Sequence, residues 1–221
     1  DGKGNLYVVE RNNHRVLRFL LNPQIVVKAG DLSGKATITT IDDGTDEEDE
    51  TIIVSGKSAI NATAVGTMST TLSILDDDEA PVVKLSLSSV KIAENSDRDV
   101  VLTASLYNTA STGTVSNTGS SPYPSSSGVY SAPVVSGKDV SLTFVVSGTA
   151  SETTEFKVSS KELKIAKGAS SGTITISTKG LDDKIVEVLE SIKFKVSAIT
   201  NATIVKDSVI VYIDSDDNPV V

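Results

Sequence analysis

Residues 140–146 read Val-Ser-Leu-Thr-Phe-Val-Val, and their alternation decides the fold class. On an extended chain Val140, Leu142, Phe144 and Val146 share one face, and Ser141, Thr143 and Val145 share the other. The same period recurs at Ile174 and Ile176 between threonines, and at Ile192, Phe194 and Val196 between lysines. Branched and aromatic side chains at period two predict strands with one buried face. One stretch fits two templates, because Ile185, Val186, Val188, Leu189 and Ile192 also form a helical stripe. Its second half is read as a strand, on the strength of an internal repeat. The expected fold class is all-β.

Composition narrows the function classes. The chain has 221 residues, 38% apolar and 22% charged, which suffices for a packed core and argues against wholesale disorder. No apolar run approaches the roughly 18 residues of a membrane-spanning helix. Cysteine is absent and His14 is the only histidine, so Cys- or His-rich metal sites and thiolate nucleophiles are excluded. A Ser-His-Asp hydrolase would have to rely on His14, and no enzyme activity is expected. The chain opens in mid-motif at Asp1-Gly2-Lys3-Gly4, so residues are expected to precede it and secretion stays open. A net charge of −9 repels phosphates and anionic lipid heads, so neither nucleic acid nor membrane insertion is expected. Fourteen of the 29 acidic residues crowd into 42–50, 76–79 and 214–217. Such crowding is repulsive unless the groups are solvated or share a cation.

Residues 24–83 repeat as 162–221. Ala29-Gly30 and Ser33-Gly34 match Lys167-Gly168 and Ser171-Gly172; Asp42-Asp43 matches Asp182-Asp183. Glu47 and Glu50 match Glu187 and Glu190, Asn61-Ala62-Thr63 matches Asn201-Ala202-Thr203, and DDDEAPVV at 76–83 matches DSDDNPVV at 214–221. Two copies of one unit mean two modules of an array. Asn61 and Asn201, in Asn-x-Thr sequons at the same repeat position, are read as hairpin-turn residues. Between the copies, residues 107–137 carry no charged group and hold Tyr107, Tyr123 and Tyr130. They are expected to form a long loop between two strands, with a contact surface for a ligand as the functional alternative.

The repeat resembles the Calx-beta module, known from the regulatory region of sodium–calcium exchangers and from large bacterial surface proteins. In the second copy the resembling residues start at Val82 and run through Ile92-Ala93-Glu94-Asn95, Gly148-Thr149-Ala150 and Glu155-Phe156. They continue through Ile165-Ala166-Lys167-Gly168, Leu181-Asp182-Asp183, Glu187 and Glu190, and close on Ile213-Asp214-Ser215-Asp216. The first copy carries Ile41-Asp42-Asp43, Glu47-Glu48-Asp49-Glu50 and Ile74-Leu75-Asp76-Asp77-Asp78. The resemblance implies immunoglobulin-like, seven-stranded antiparallel β-sandwiches in tandem, with calcium (Ca2+) in the loops at one end. It nominates Glu94, Glu155, Asp182, Asp183, Glu187, Asp214 and Asp216 as ligands in the second copy. In the first it nominates Asp42, Asp43, Glu47, Asp76, Asp77 and Asp78. Glu155 stands where the family has Asp, and Ser215 interrupts an Asp triplet, which implies fewer or weaker ions there. Glu50 and Glu190 are expected to make structural hydrogen bonds instead. The chemistry is consistent, since calcium takes six to eight oxygens and a sandwich gathers its loops at its ends.

Residues 1–19 resemble one NHL repeat, a β-propeller blade, through Asp1-Gly2-Lys3-Gly4-Asn5-Leu6-Tyr7-Val8-Val9 and Asn13-His14-Arg15-Val16. The expected division is 1–23 a blade-like hairpin, 24–80 the second half of a Calx-beta module, and 81–221 a module with the insertion. The half at 24–80 has no counterpart of 82–161. It is expected to expose a strand edge and an apolar face with Ile38, Ile52, Val54 and Leu72. Its completion is expected from residues missing from this sequence, from the hairpin at 1–23, or from strands of another chain.

The expected function is a calcium-binding structural or adhesive region of a large extracellular surface protein, its sandwiches stiffened by calcium. Its partners would be calcium, neighbouring repeats and other subunits of a surface assembly. The alternatives are a glycan- or protein-binding module using 107–137 or the propeller, and a non-catalytic region of a larger secreted enzyme. A calcium sensor like that of the exchangers would need adjoining membrane segments.

Overall fold

The computed structural model describes residues 5–10, 15–20, 24–40, 43–108, 133–181 and 186–215. Every regular element among them is a strand, so the all-β expectation holds. The chain divides into two compact units, Asp1–Asp78 and Glu79–Val221.

The C-terminal unit is a β-sandwich. Its strands are β5 (Val82–Leu87), β6 (Lys91–Ala93), β7 (Val100–Tyr107), β8 (Val140–Gly148), β9 (Lys157–Val158), β10 (Glu162–Ile165), β11 (Ser171–Ser177), β12 (Glu190–Thr200), β13 (Thr203–Ile204) and β14 (Ser208–Asp214). They form two five-stranded sheets, in the orders β10-β8-β12-β14-β6 and β13-β5-β7-β11-β9. The seven-strand antiparallel expectation is thus modified: short edge strands are added, and two of them, β6 on β14 and β13 on β5, pair in parallel.

The alternation seen in the sequence is what buries the core. Val140, Leu142 and Phe144 of β8 face inward with Ile174 and Ile176 of β11 and Ile192 and Phe194 of β12. Phe144 and Phe194 meet edge to face, with centroids 6.0 Å apart and planes at 81°, the arrangement that aromatic quadrupoles favour. The β12–β8 ladder shifts register between Val196 and Ala198, and the hydroxyl of the intervening Ser197 donates to the Thr143 carbonyl at 3.1 Å. The helical alternative at 185–192 is not realised in its described part: 186–189 are irregular and β12 starts at Glu190.

The insertion expected at 107–137 is anchored at both ends. Tyr107 closes β7 and bridges to Pro133. The Val134 amide donates to Leu106 at 3.0 Å, and Ser136 is buried. The anchored stretches thus end at Tyr107 and begin again at Pro133, and 109–132 lie outside the described residues.

In the N-terminal unit β1 (Asn5–Glu10) and β2 (Arg15–Leu20) pair antiparallel, as do β3 (Glu50–Ser55) and β4 (Ser69–Ile74). His14 lies outside the described residues. Residues 24–40 contain no strand. The pairing corrects the repeat alignment by one residue. Glu190 faces Ile213, whereas Glu50 faces Ile74, not Leu75 as the aligned Asp clusters require. Period two explains the slip: Leu72 and Ile74 share a face as Val211 and Ile213 do, and Leu75 falls on the opposite one. Asn61 and Asn201, at matching repeat positions, both take left-handed backbone, with φ of 56° and 57°, which asparagine tolerates better than most residues.

Candidate metal centre

The strand registers decide which connections gather at one end of the C-terminal unit. Ile192 pairs with Gly148, Asp214 with Ala93, Glu190 with Ile213, and Ile176 with Val100. The connections 94–99, 149–156 and 178–189 and the residues after Asp214 therefore leave from the same end. The seven positions nominated in the second copy belong to these connections or close β14. Of them, Asp182, Asp183 and Asp216 lie outside the described residues.

Three carboxylates meet there. Oxygen atoms of Glu155, Glu187 and Glu190 lie within 4.8 Å of one another, each side chain half-buried. Local chemistry holds Glu155 in place. Gly148, with φ of 144°, lets the chain pass so close to Ser191 that an added Cβ would stand 1.9 Å from its carbonyl oxygen. The Thr149 and Ala150 amides then donate to that same carbonyl at 3.0 and 3.2 Å, and the Ser191 amide donates to Thr149 Oγ1 at 2.8 Å. The Gly-Thr-Ala sequence thus clasps the residue beside Glu190. The following turn is closed by the Glu155 amide donating to Ser151 and by the Ser151 amide donating to the Glu155 carboxylate. Buried Phe156 fixes its far end, its carbonyl accepting from the Thr153 amide at 2.8 Å. Glu187 is tied to the end of β14 by its amide, which donates to Ser215 Oγ at 3.4 Å.

The electrostatics are those of like charges forced together. Burial, a hydrogen bond with Glu155, and repulsion from Glu155 and Glu187 push the Glu190 carboxyl up to about 7. Glu190 Oε2 is buried without a hydrogen-bond partner. A hard divalent cation fits this set: it takes carboxylate oxygens, supplies the missing positive charge and would occupy the open lone pairs. Glu190 was expected to be a structural hydrogen-bonder. It does bond Glu155, and it is also part of the cluster. The one cue in the sequence was its spacing, three residues after Glu187.

The other nominated residues are placed differently. Glu94 is buried, and its amide donates to the Asp214 carbonyl at 3.0 Å. Its loop is locked to the 178–181 turn. Thr178 Oγ1 accepts from the Ser96 amide and donates to Ala93, while Asn95 Oδ1 accepts from the Gly180 amide. Asp214 directs both carboxylate oxygens at Lys91 Nζ, at 3.0 and 3.1 Å, and is not among the three that converge. In the N-terminal unit Asp42 lies outside the described residues. Asp43 is exposed and accepts from the Thr45 amide, and Glu47 is buried. The Asp76 amide donates to Asp49 Oδ1 at 3.0 Å; Asp77 is exposed and Asp78 half-buried. Among the described residues no triple cluster forms in that unit.

The fold and site together define an all-β protein whose β-sandwich carries an acidic cluster at one end. No family model and no curated protein matches the chain. Among solved structures it is similar to the apo-form Calx CBD1 domain, at 15% identity and TM-score 0.42, over 63% of this chain and 100% of that one. It is also similar to domains 4 and 5 of the S-layer protein SbsC, at 15% identity and TM-score 0.29, over 96% and 94%. A third similarity is to the periplasmic chaperone SfaE, at 8% identity and TM-score 0.32, over 62% and 60%.

Proposed function

We propose that residues 81–221 are a Calx-beta module that takes up calcium through its end loops. It would serve, without catalytic activity, as a calcium-stiffened spacer in a large extracellular surface protein. The observation that supports this reading is the meeting of Glu155, Glu187 and Glu190 from separate connections, with one buried carboxylate oxygen unpartnered. Glu155, Glu187 and Glu190 would supply carboxylate oxygens, with Asp182, Asp183 and Asp216 added on sequence grounds. The cation would supply charge neutralisation: three crowded carboxylates oppose folding until a positive charge is shared among them. Neighbouring repeats and other subunits would be the partners of such a spacer, and the hairpin at 5–20 would belong to a propeller blade.

The test is thermal melting of the full chain in calcium against chelator. Calcium is expected to raise the midpoint of the C-terminal unit, and the double variant Glu155→Gln, Glu190→Gln to lose most of that gain. An unchanged midpoint in the parent protein rejects the reading.

A further inference from the structure

The N-terminal half module keeps the local geometry of the complete one while lacking its partners. Asp31 N donates to Lys28 O at 2.9 Å, and at the matching position Ala169 N donates to Ala166 O at 2.9 Å. Gly30 and Gly168 share left-handed backbone, with φ of 91° and 81°. An added Cβ at Gly34 would stand 2.5 Å from the Val26 carbonyl oxygen, and at Gly172 2.4 Å from that of Lys164. The corner that joins β10 to β11 is thus reproduced in 24–40. The strands themselves are not. β10 needs β8, β11 needs β7, β12 needs β8 and β14 is flanked by β6. All of these partners fall within 91–148, for which the first copy has no equivalent. In keeping with this, β3 pairs only with β4 among the described residues. The side chains that would face a partner layer are open: Ile25 is 61% exposed, Val27 53% and Ile38 48%, where Leu163, Ile165 and Ile176 are fully buried.

From this preformed corner and open strand edge we propose that residues 24–78 are a docking surface for first-half strands of a like module, brought by another polypeptide. The occupant has the chemistry of β7 and β8: extended segments alternating apolar and small polar residues, one ending in a Gly-Thr-Ala clasp for the residue after Glu50. Backbone ladders would give the binding, and apolar side chains set against Ile52, Val54 and Ile38 would set the register. Residues 1–221 contain one first half for two second halves, so a second copy of this stretch is a poor donor. A copy that donated β5 to β8 would open its own sandwich.

The experiment reads hydrogen exchange in the full chain. In one arm a copy of residues 81–161 is inserted between Pro23 and Gln24; in the other the polypeptide 81–161 is co-refolded with the parent chain. Amides at 36–39 and 51–54 are expected to exchange at least about tenfold slower in both arms. Ile52→Asp is expected to abolish the slowing, with amides of β12 as the internal control for an intact C-terminal unit. Unchanged rates overturn the proposal, as does slowing that Ile52→Asp leaves in place. Slowing by insertion alone overturns the docking. Self-association of the parent chain that Ile52→Asp removes also overturns it, because the occupant is then a second copy.

Discussion

Ile52 and Ile192 stand at matching positions of two similar stretches of sequence, two residues after Glu50 and Glu190. Ile192 is fully buried between two sheets, and Ile52 is half-buried on a two-stranded ribbon. A wider comparison gives the same picture. Residues 162–177 contain two strands, and their counterparts at 24–39 contain none, although both segments carry the same glycine pair and the same turn. Turn geometry is therefore written locally, by Gly30 and Gly168 at positive φ. Strand geometry is not, because a strand exists only when a neighbour accepts its hydrogen bonds. The acidic clusters follow the same rule. The N-terminal unit holds the counterparts of Glu187 and Glu190 in Glu47 and Glu50. Glu155 lies at 84–161, outside the repeated stretch, and has no sequence counterpart in 24–78.

The sharpest way to break this comparison is the paired substitution. Ile192→Ala is expected to destabilise the C-terminal unit by about 2–5 kcal/mol, the range for emptying a core isoleucine site. Ile52→Ala is expected to cost under about 1 kcal/mol, because the lost side chain leaves no closed cavity. Denaturant titration followed by hydrogen exchange separates the two units. Equal costs would mean that Ile52 sits in a closed core, and the half-module description would fall.

Calcium supplies the next effect. If the C-terminal cluster binds with the affinity of extracellular modules, roughly 10⁻⁴ to 10⁻³ M, then 10 mM calcium adds about 1.4–2.7 kcal/mol to that unit. The N-terminal unit, in which no triple cluster forms among the described residues, is expected to gain nothing measurable by the same melting assay. In chelator the sign of the pH dependence follows from Glu190. Its carboxyl is raised from 4.5 to about 7 in the folded protein, so the folded state binds the proton more tightly than the unfolded state. The stability this contributes is complete below about pH 4.5 and is lost as pH rises through about 7. Glu190→Gln is expected to flatten that window, measured as the melting midpoint from pH 5 to pH 8. A midpoint that falls equally in the variant would remove Glu190 as the cause.

Much of the fold was legible because the C-terminal unit obeys period two: Val140, Leu142 and Phe144 point inward as their spacing demands. The parallel edge pairings of β6 and β13 were not legible, since three- and two-residue strands have no periodicity to read. The one-residue slip in β4 was hidden for another reason. The Asp clusters align well on their own chemistry, while pairing answers to the alternation of Leu72 and Ile74. Of the site, Glu155 and Glu187 were found by resemblance. Glu190 was assigned hydrogen bonding alone, because nothing in a strand's first residue signals that a loop from across the sheet will bring Glu155 to it. The engagement of Asp214 with Lys91 depends on the parallel pairing of β14 with β6, which no local pattern announces.

The smallest expected effect separates the first half's length from its strands. If the C-terminal unit is stable because β5 to β8 supply ladder partners, the residues between β7 and Pro133 should be dispensable. Tyr107 and Pro133 are bridged, and Val134 donates to Leu106, so a short link can join the two ends without moving either. Replacing residues 109–132 with eight Gly and Ser residues shortens the connection threefold. Closing the shorter loop costs about 1 kcal/mol less by chain entropy. The unit is therefore expected to keep its cooperative transition, with a midpoint equal to or slightly above the parent's. Cutting further, into Pro133–Lys138, is expected to be harmful, because Ser136 is buried and its carbonyl accepts from the Gly168 amide at 2.8 Å. Loss of cooperative unfolding on the first replacement would place 109–132 in the core. The contrast between the two units would then be one of chain length as much as of missing strands.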